Sequence, residues 1–145
     1  MNKSHHNYYH AGLSRIEKFH INKGGLHMGG RYSALEAAAR KIREMDYEDK
    51  KEALIYLHSV SVDSSMITEE TFDHGSAEMW EHSIKEWQRV GIHGAKYRNE
   101  FEPDMRKSIV LCSTQPIKSI LKVEVLTLDE AERILEDMED YYSFA

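Results

Sequence analysis

Cysteine is nearly missing from this 145-residue chain. Cys112 stands alone, so no internal disulfide forms and the fold has to rest on its core. Proline is scarce too: Pro103 and Pro116 are the only two, which leaves no proline-rich linker. No apolar run approaches the ~20 residues that cross a bilayer. The opening MNKSHHNYYHAG lacks the apolar centre of a secretory signal. Together these absences give an expected location in the cytoplasm and no membrane partner. Repeats and low-complexity tracts are also missing, and the length suits one domain, residues 1–145, with a sizeable core.

Strong positive charge is absent as well. The net charge is −6, and the terminal stretch LDEAERILEDMEDYYSFA, with seven acids against one arginine, accounts for it. The rest of the chain is neutral. That balance disfavours a general nucleic-acid binder, and the acidic run reads as the solvated face of a last helix over about 128–142. Several motifs are lacking. No H-E-x-x-H or paired Cys/His spacing accompanies the nine histidines, so no metal site is expected. Neither G-x-S-x-G nor G-x-x-x-x-G-K-[ST] occurs.

What is present alternates between strand and helix signals. Asn7–Gly12 (NYYHAG) reads as a short strand, and SRIEKFHINKGG as a loop or single turn, while LHM is too short to classify. RYSALEAAARKIREM is a helix with Leu35, Ala38, Ala39 and Ile42 on one face. DYEDKK is a polar break. From Leu54 a strand alternates, with Tyr56, His58, Val60 and Val62 on one side and Leu57, Ser59 and Ser61 on the other. SSMITEETFDHGS reads as a connection. The next helix, SAEMWEHSIKEWQRV, carries Met79, Trp80, Ile84 and Trp87 near one stripe, which points to core. GIHGAKYRNEFE gives a strand and a polar corner, and KSIVLCS and PIKSILKVEVLT two further strands. Thr127 caps the final helix, and Glu130 completes a capping box. Ala131, Ile134, Leu135 and Met138 give that helix its buried face. Late strands on short links predict antiparallel pairing and an α+β fold.

Three islands combine a reactive side chain with a glycine or a turn: Tyr9-His10-Ala11-Gly12, Gly25-Leu26-His27-Met28-Gly29 and Tyr97-Arg98-Asn99-Glu100-Phe101-Glu102. Each falls at a predicted strand end, where rigid strands hold functional loops. Alternation places Glu100 and Glu102 on one side of a strand. Enclosed together they would repel, raising the pKa of one and suiting the pair to acid–base work.

The order of the islands, with the late G-I-H-G-A-K-Y-R-N-E-F-E and P-I-K-S-I runs, resembles compact ADP-ribosyltransferase-like domains of bacteria and their viruses, from Tyr8 to about Val125. The resemblance implies split antiparallel β-sheets with flanking helices and NAD as substrate. In the family a strand-one histidine bonds an adenosine-ribose hydroxyl, and a neighbouring glycine backbone bonds the nicotinamide amide. His10 and Gly12 look like these positions, although here Ala11 separates them. The family's aromatic nicotinamide wall falls at His27, with Tyr32 as the nearby alternative, over a glycine floor that includes Gly25. Its catalytic glutamate matches Glu102, and Glu100 would orient or deprotonate the acceptor.

The chemistry explains those residue types. Cleaving the nicotinamide–ribose bond develops an oxocarbenium-like charge. A carboxylate stabilises it, a planar ring orients the leaving group, and glycines admit the substrate to the backbone. The Glu-x-Glu pair is typical of arginine-modifying branches, whose first strand carries Arg where His10 stands, so the acceptor residue stays open. Transfer of ADP-ribose to a protein, in phage–host or toxin-type conflict, is the expected function. NAD glycohydrolysis, a related phosphate transfer to NAD, or a catalytically inactive binding or inhibitor protein working through the Trp80/Trp87 helix or the acidic tail are the alternatives.

Overall fold

The computed structural model describes residues 5–99 and 107–143, with side chains for 6–99 and 107–140. Along the chain come β1 (His5–Gly12), β2 (Leu26–Met28), α1 (Arg31–Arg43), α2 (Tyr47–Glu52), β3 (Leu54–Asp63), β4 (Glu69–Thr71), α3 (Ala77–Arg89), β5 (Gly94–Tyr97), β6 (Ser108–Leu111), β7 (Ile117–Thr127) and α4 (Leu128–Ser143). The described residues thus form an α+β protein with four helices and two sheets, ordered β1-β3-β7 and β2-β6-β5-β4.

Three apolar cores stack these parts into four layers. On one face of β3, Ile55 and Leu57 meet Leu35, Ala38, Ala39 and Ile42 of α1 and Ala131 and Leu135 of α4. On its other face, Val60 and Val62 meet Leu26, Met28, Ile109 and Leu111 of the second sheet, with Tyr8 and Phe19 alongside. Behind that sheet, Trp80 and Ile84 of α3 cover Val110, Ala95 and Tyr97. Each such fully buried Leu or Ile contributes about 1.5–3 kcal/mol. The helix ends follow local chemistry. Arg40, Lys41 and Arg43 crowd the last turn of α1, opposing its negative pole. At α4, Glu130 N–H donates to Thr127 Oγ1 at 3.1 Å, and Thr127 N–H donates back to Glu130 Oε1 at 3.3 Å, which forms the expected capping box.

Several expectations are corrected. Residues 46–51 do not break the chain: α2 forms there with no buried residue, its acids Glu48 and Asp49 in the first turn and Lys50 and Lys51 in the last, as the helix dipole favours. The 64–76 connection holds β4, which pairs with β5 in parallel, so the sheets are not wholly antiparallel. The physical reason is α3, whose 13 residues make the crossover that a parallel pair requires. β7 pairs with β3 instead of its predecessor β6, which puts consecutive strands in different sheets. β3, a strand as expected, is buried on both faces, and each half of it serves a different core. Met79 lies exposed off the Trp80, Ile84, Trp87 stripe, since those three alone keep the i, i+4, i+7 spacing.

Candidate functional site

Strand β1 touches Gly29, the residue that follows β2, at one point, and the two strands then part. Tyr9 N–H donates to Gly29 O at 2.8 Å, and Gly29 N–H donates to Tyr9 O at 3.0 Å. In an antiparallel pair the next such rung lies two residues on, between Ala11 and His27. That rung is absent. The His27 carbonyl instead accepts from His10 Nδ1 at 3.0 Å. Strand backbone groups alternate sides, so Ala11 aims its N–H and C=O the same way as Tyr9, into the gap, while Gly12 aims its own at Tyr56 of β3.

The gap opens a cleft of about 250 Å³ between β1, the turn before β2 and one side of α1. Ser33, Ala37 and Lys41 face it, at the four-residue spacing of one helix stripe. A second hollow of about 590 Å³ shares His27, Lys41, Tyr97 and Asn99 with the first and continues to Asp73 and Trp80.

Two histidines set the chemistry of the walls. Burial pushes His10 below its ordinary 6.5; the bond to the His27 carbonyl opposes this, and the charges of His58 and Lys41 add to the lowering. Facing a carbonyl, Nδ1 carries the proton, which leaves Nε2 of the uncharged ring as an acceptor. Behind it, the buried His58 accepts from Ile16 N–H at 2.9 Å through Nε2 and donates from Nδ1 to His10 O at 3.1 Å. Phe19 sets its edge against both rings, at 5.5 and 5.9 Å. His10 is therefore held from behind as well as from the side.

His27 is tied at both nitrogens. Nε2 donates to Gly24 O at 2.9 Å, and Nδ1 lies 2.8 Å from the Tyr97 hydroxyl. Burial lowers its pKa also, against the Gly24 bond and the Asp73 charge. In the uncharged ring Tyr97 donates to Nδ1. Trp80 and Tyr97 pack edgewise on this ring at 5.0 and 5.7 Å. Trp80 in turn stacks on His74 at 3.9 Å, and His74 on the exposed Phe72 at 4.5 Å. With both nitrogens bonded, the His27 ring is held fixed in the cleft wall.

The glycines before β2 have steric reasons. Gly25 adopts φ +84°, and a Cβ there would stand 2.5 Å from Val110 Cγ2. A Cβ on Gly24 would stand 2.8 Å from Ala77 Cα. Both residues let the turn press against α3 and its neighbours.

Of the residues named from sequence, His10, Gly25 and His27 line the cleft together. Gly12 does not line it; Ala11 takes that place, and a Cβ on Gly12 would meet only Ser14 O at 3.9 Å. Tyr32 does not reach it either. One residue before Ser33, it turns about 100° around α1 toward the helical core, and its hydroxyl donates to Glu139 of α4. Glu100 and Glu102 lie outside the described residues, and Asn99, on the cleft wall, is the last described residue before them. Sequence reasoning missed the backbone of Ala11 and the side chains of Tyr97, Lys41 and His58. Tyr97 and Lys41 carried a signal, since one directly precedes Arg98-Asn99-Glu100 and the other lies two turns beyond Ser33.

Among the described residues no three His, Cys, Asp or Glu side chains gather as a metal-ligand set, and no helix is long and apolar enough to cross a membrane. Burial pushes the Cys112 thiol up to about 11, which leaves it a packing residue. No protein-family model, curated protein or solved structure matches the chain.

Proposed function

We propose that the cleft binds NAD as a substrate and that the protein transfers its ADP-ribose to a protein target. The observation that supports this reading is the missing rung between β1 and β2. Ala11 offers one donor and one acceptor side by side, which is the pattern that reads a primary carboxamide such as that of nicotinamide. This replaces Gly12 in that role. His27 supplies the planar wall, and His10 Nε2 the acceptor for a ribose hydroxyl. An ADP-ribosyltransferase-like architecture agrees with the two sheets that part at a single bridge.

In the reaction the C1′–nitrogen bond breaks, the electron pair leaves with neutral nicotinamide, and the acceptor nucleophile forms the new bond to C1′. Glu102 is the carboxylate assigned by resemblance to stabilise the cationic ribose, and Glu100 the one assigned to the acceptor. The test is nicotinamide release and label transfer from NAD in a bacterial lysate. Wild type releases nicotinamide and labels a protein band, and Glu102→Ala lowers both by about 10²–10³-fold. Ala11→Pro, which deletes the donor aimed into the gap, weakens NAD binding about tenfold. Release without labelling would mean glycohydrolysis. If wild type neither binds NAD nor releases nicotinamide, the cleft serves a binding protein.

A further inference from the structure

β7 is the longest strand and lies at the end of its sheet, with β3 on one side and no strand on the other among the described residues. Such an edge presents unpaired N–H and C=O groups, and proteins usually blunt it with proline, bulges or unbalanced charge. Pro116 precedes the strand, and the register shifts against β3 fall in its first half, before Lys122. The second half, 122–127, is regular and free of proline. It carries Val125, 46% exposed, beside the edge, and Leu121, 53% exposed, stands in the bulge just before it.

The strand's parity settles which groups point outward. Tyr9 turns its backbone bonds to Gly29, so His10 turns its own to His58, and the odd residues of β3 serve β7. Leu57 and Ser59 therefore bond Glu124 and Lys122, leaving Val123 and Val125 with outward N–H and C=O groups.

We propose that β7 pairs antiparallel with β7 of a second copy of this chain about a twofold axis at Val123, joining the two three-stranded sheets into one of six. In that register Lys122 faces Glu124 of the other copy, the bulged Leu121 comes opposite Val125, and the outward groups of Val123 bond each other. Moving the axis to Lys122 or Glu124 would set like charges face to face and use inward groups. Glu124 already holds Arg31 at 3.0 Å with its other oxygen directed along the strand to Lys122 at 3.9 Å, so both charges are placed near the edge. The cleft lies beyond β1, at the opposite edge of the sheet, and stays open in the dimer.

Sedimentation and cysteine trapping on the full chain test this. Wild type sediments at twice the chain mass at tens of micromolar, Lys122→Glu and Glu124→Lys each sediment as monomers, and an equal mixture of the two restores the dimer. Because the native Cys112 is buried, an introduced cysteine reports alone. Val123→Cys, about 5.5 Å from its own copy between Cα atoms, forms an intermolecular disulfide on mild oxidation. Val125→Cys, opposite Leu121, does not. A monomeric wild type, a Lys122→Glu variant that stays dimeric, or equal trapping at both positions would overturn the proposal.

Discussion

Replacing His27 by alanine measures what holds this ring in the cleft wall. The substitution removes the bond to the Tyr97 hydroxyl and strips its partner from the buried Gly24 carbonyl. Leaving a buried polar group unpaired costs about 1–3 kcal/mol. Two edgewise ring contacts, to Trp80 and Tyr97, also go, each of about 0.5–1.5 kcal/mol. Water entering from the cleft restores part of the hydrogen bonding, and the contributions overlap. The expected loss is therefore ~2–4 kcal/mol, below the simple sum. Trp80, 5.0 Å from the His27 ring, provides the fluorescence signal for a urea titration. With a urea slope of ~2 kcal/mol per molar, the midpoint falls by about 1–2 M. Tyr32→Phe, which removes only the hydroxyl on Glu139, shifts stability by less than ~1 kcal/mol and, under the proposed function, leaves NAD affinity unchanged. A His27→Ala variant as stable as wild type would show that the bonds to Tyr97 and Gly24 carry no energy. Loss of NAD affinity in Tyr32→Phe would restore Tyr32 to the site.

Two other perturbations follow from the same geometry. Gly25→Ala combines a left-handed backbone, about 1–2 kcal/mol, with overpacking at the 2.5 Å approach to Val110, about 1–3 kcal/mol; Gly12→Ala has open space and changes the thermal midpoint little. Equal destabilisation by the two would contradict the steric account. The buried histidines give a pH dependence. His10 and His27 both sit below 6.5 when folded, so the unfolded chain binds more protons and stability rises with pH. Stability is complete above about 6.5 and is lost as pH falls below that value. Urea midpoints should drop between about pH 7.5 and 5.5, and His10→Gln should flatten the slope. Glu132, held below 4.5 by its bond to Arg43, acts in a separate and more acidic window. A midpoint that is flat across the first interval would refute the burial of these rings.

The α+β class, the helices at 31–43, 77–89 and 128–143 and the capping box of the last were legible in the sequence, because helix period, helix-forming residues and the Thr127/Glu130 spacing are local signals. The polar 46–51 segment was misread, since a short helix with no buried face has no apolar period to show. Pairing was not legible. Nothing in β7 alone says that it joins β3, and nothing in β4 says that α3 will carry the chain back parallel to it.

By itself, then, the sequence determined that the chain would build helices and strands around apolar faces, and that His10, the glycine turn and His27 were worth watching. Only the tertiary structure decided that β1 and β2 part after a single bridge, that Ala11 and not Gly12 turns its backbone to the gap, and that Tyr32 belongs to the helical core. The reason is geometric. Which way a backbone amide points depends on the neighbouring strand's register, and which ring reaches a cleft depends on the rotation of a helix about its axis, and both are fixed by packing between distant parts of the chain.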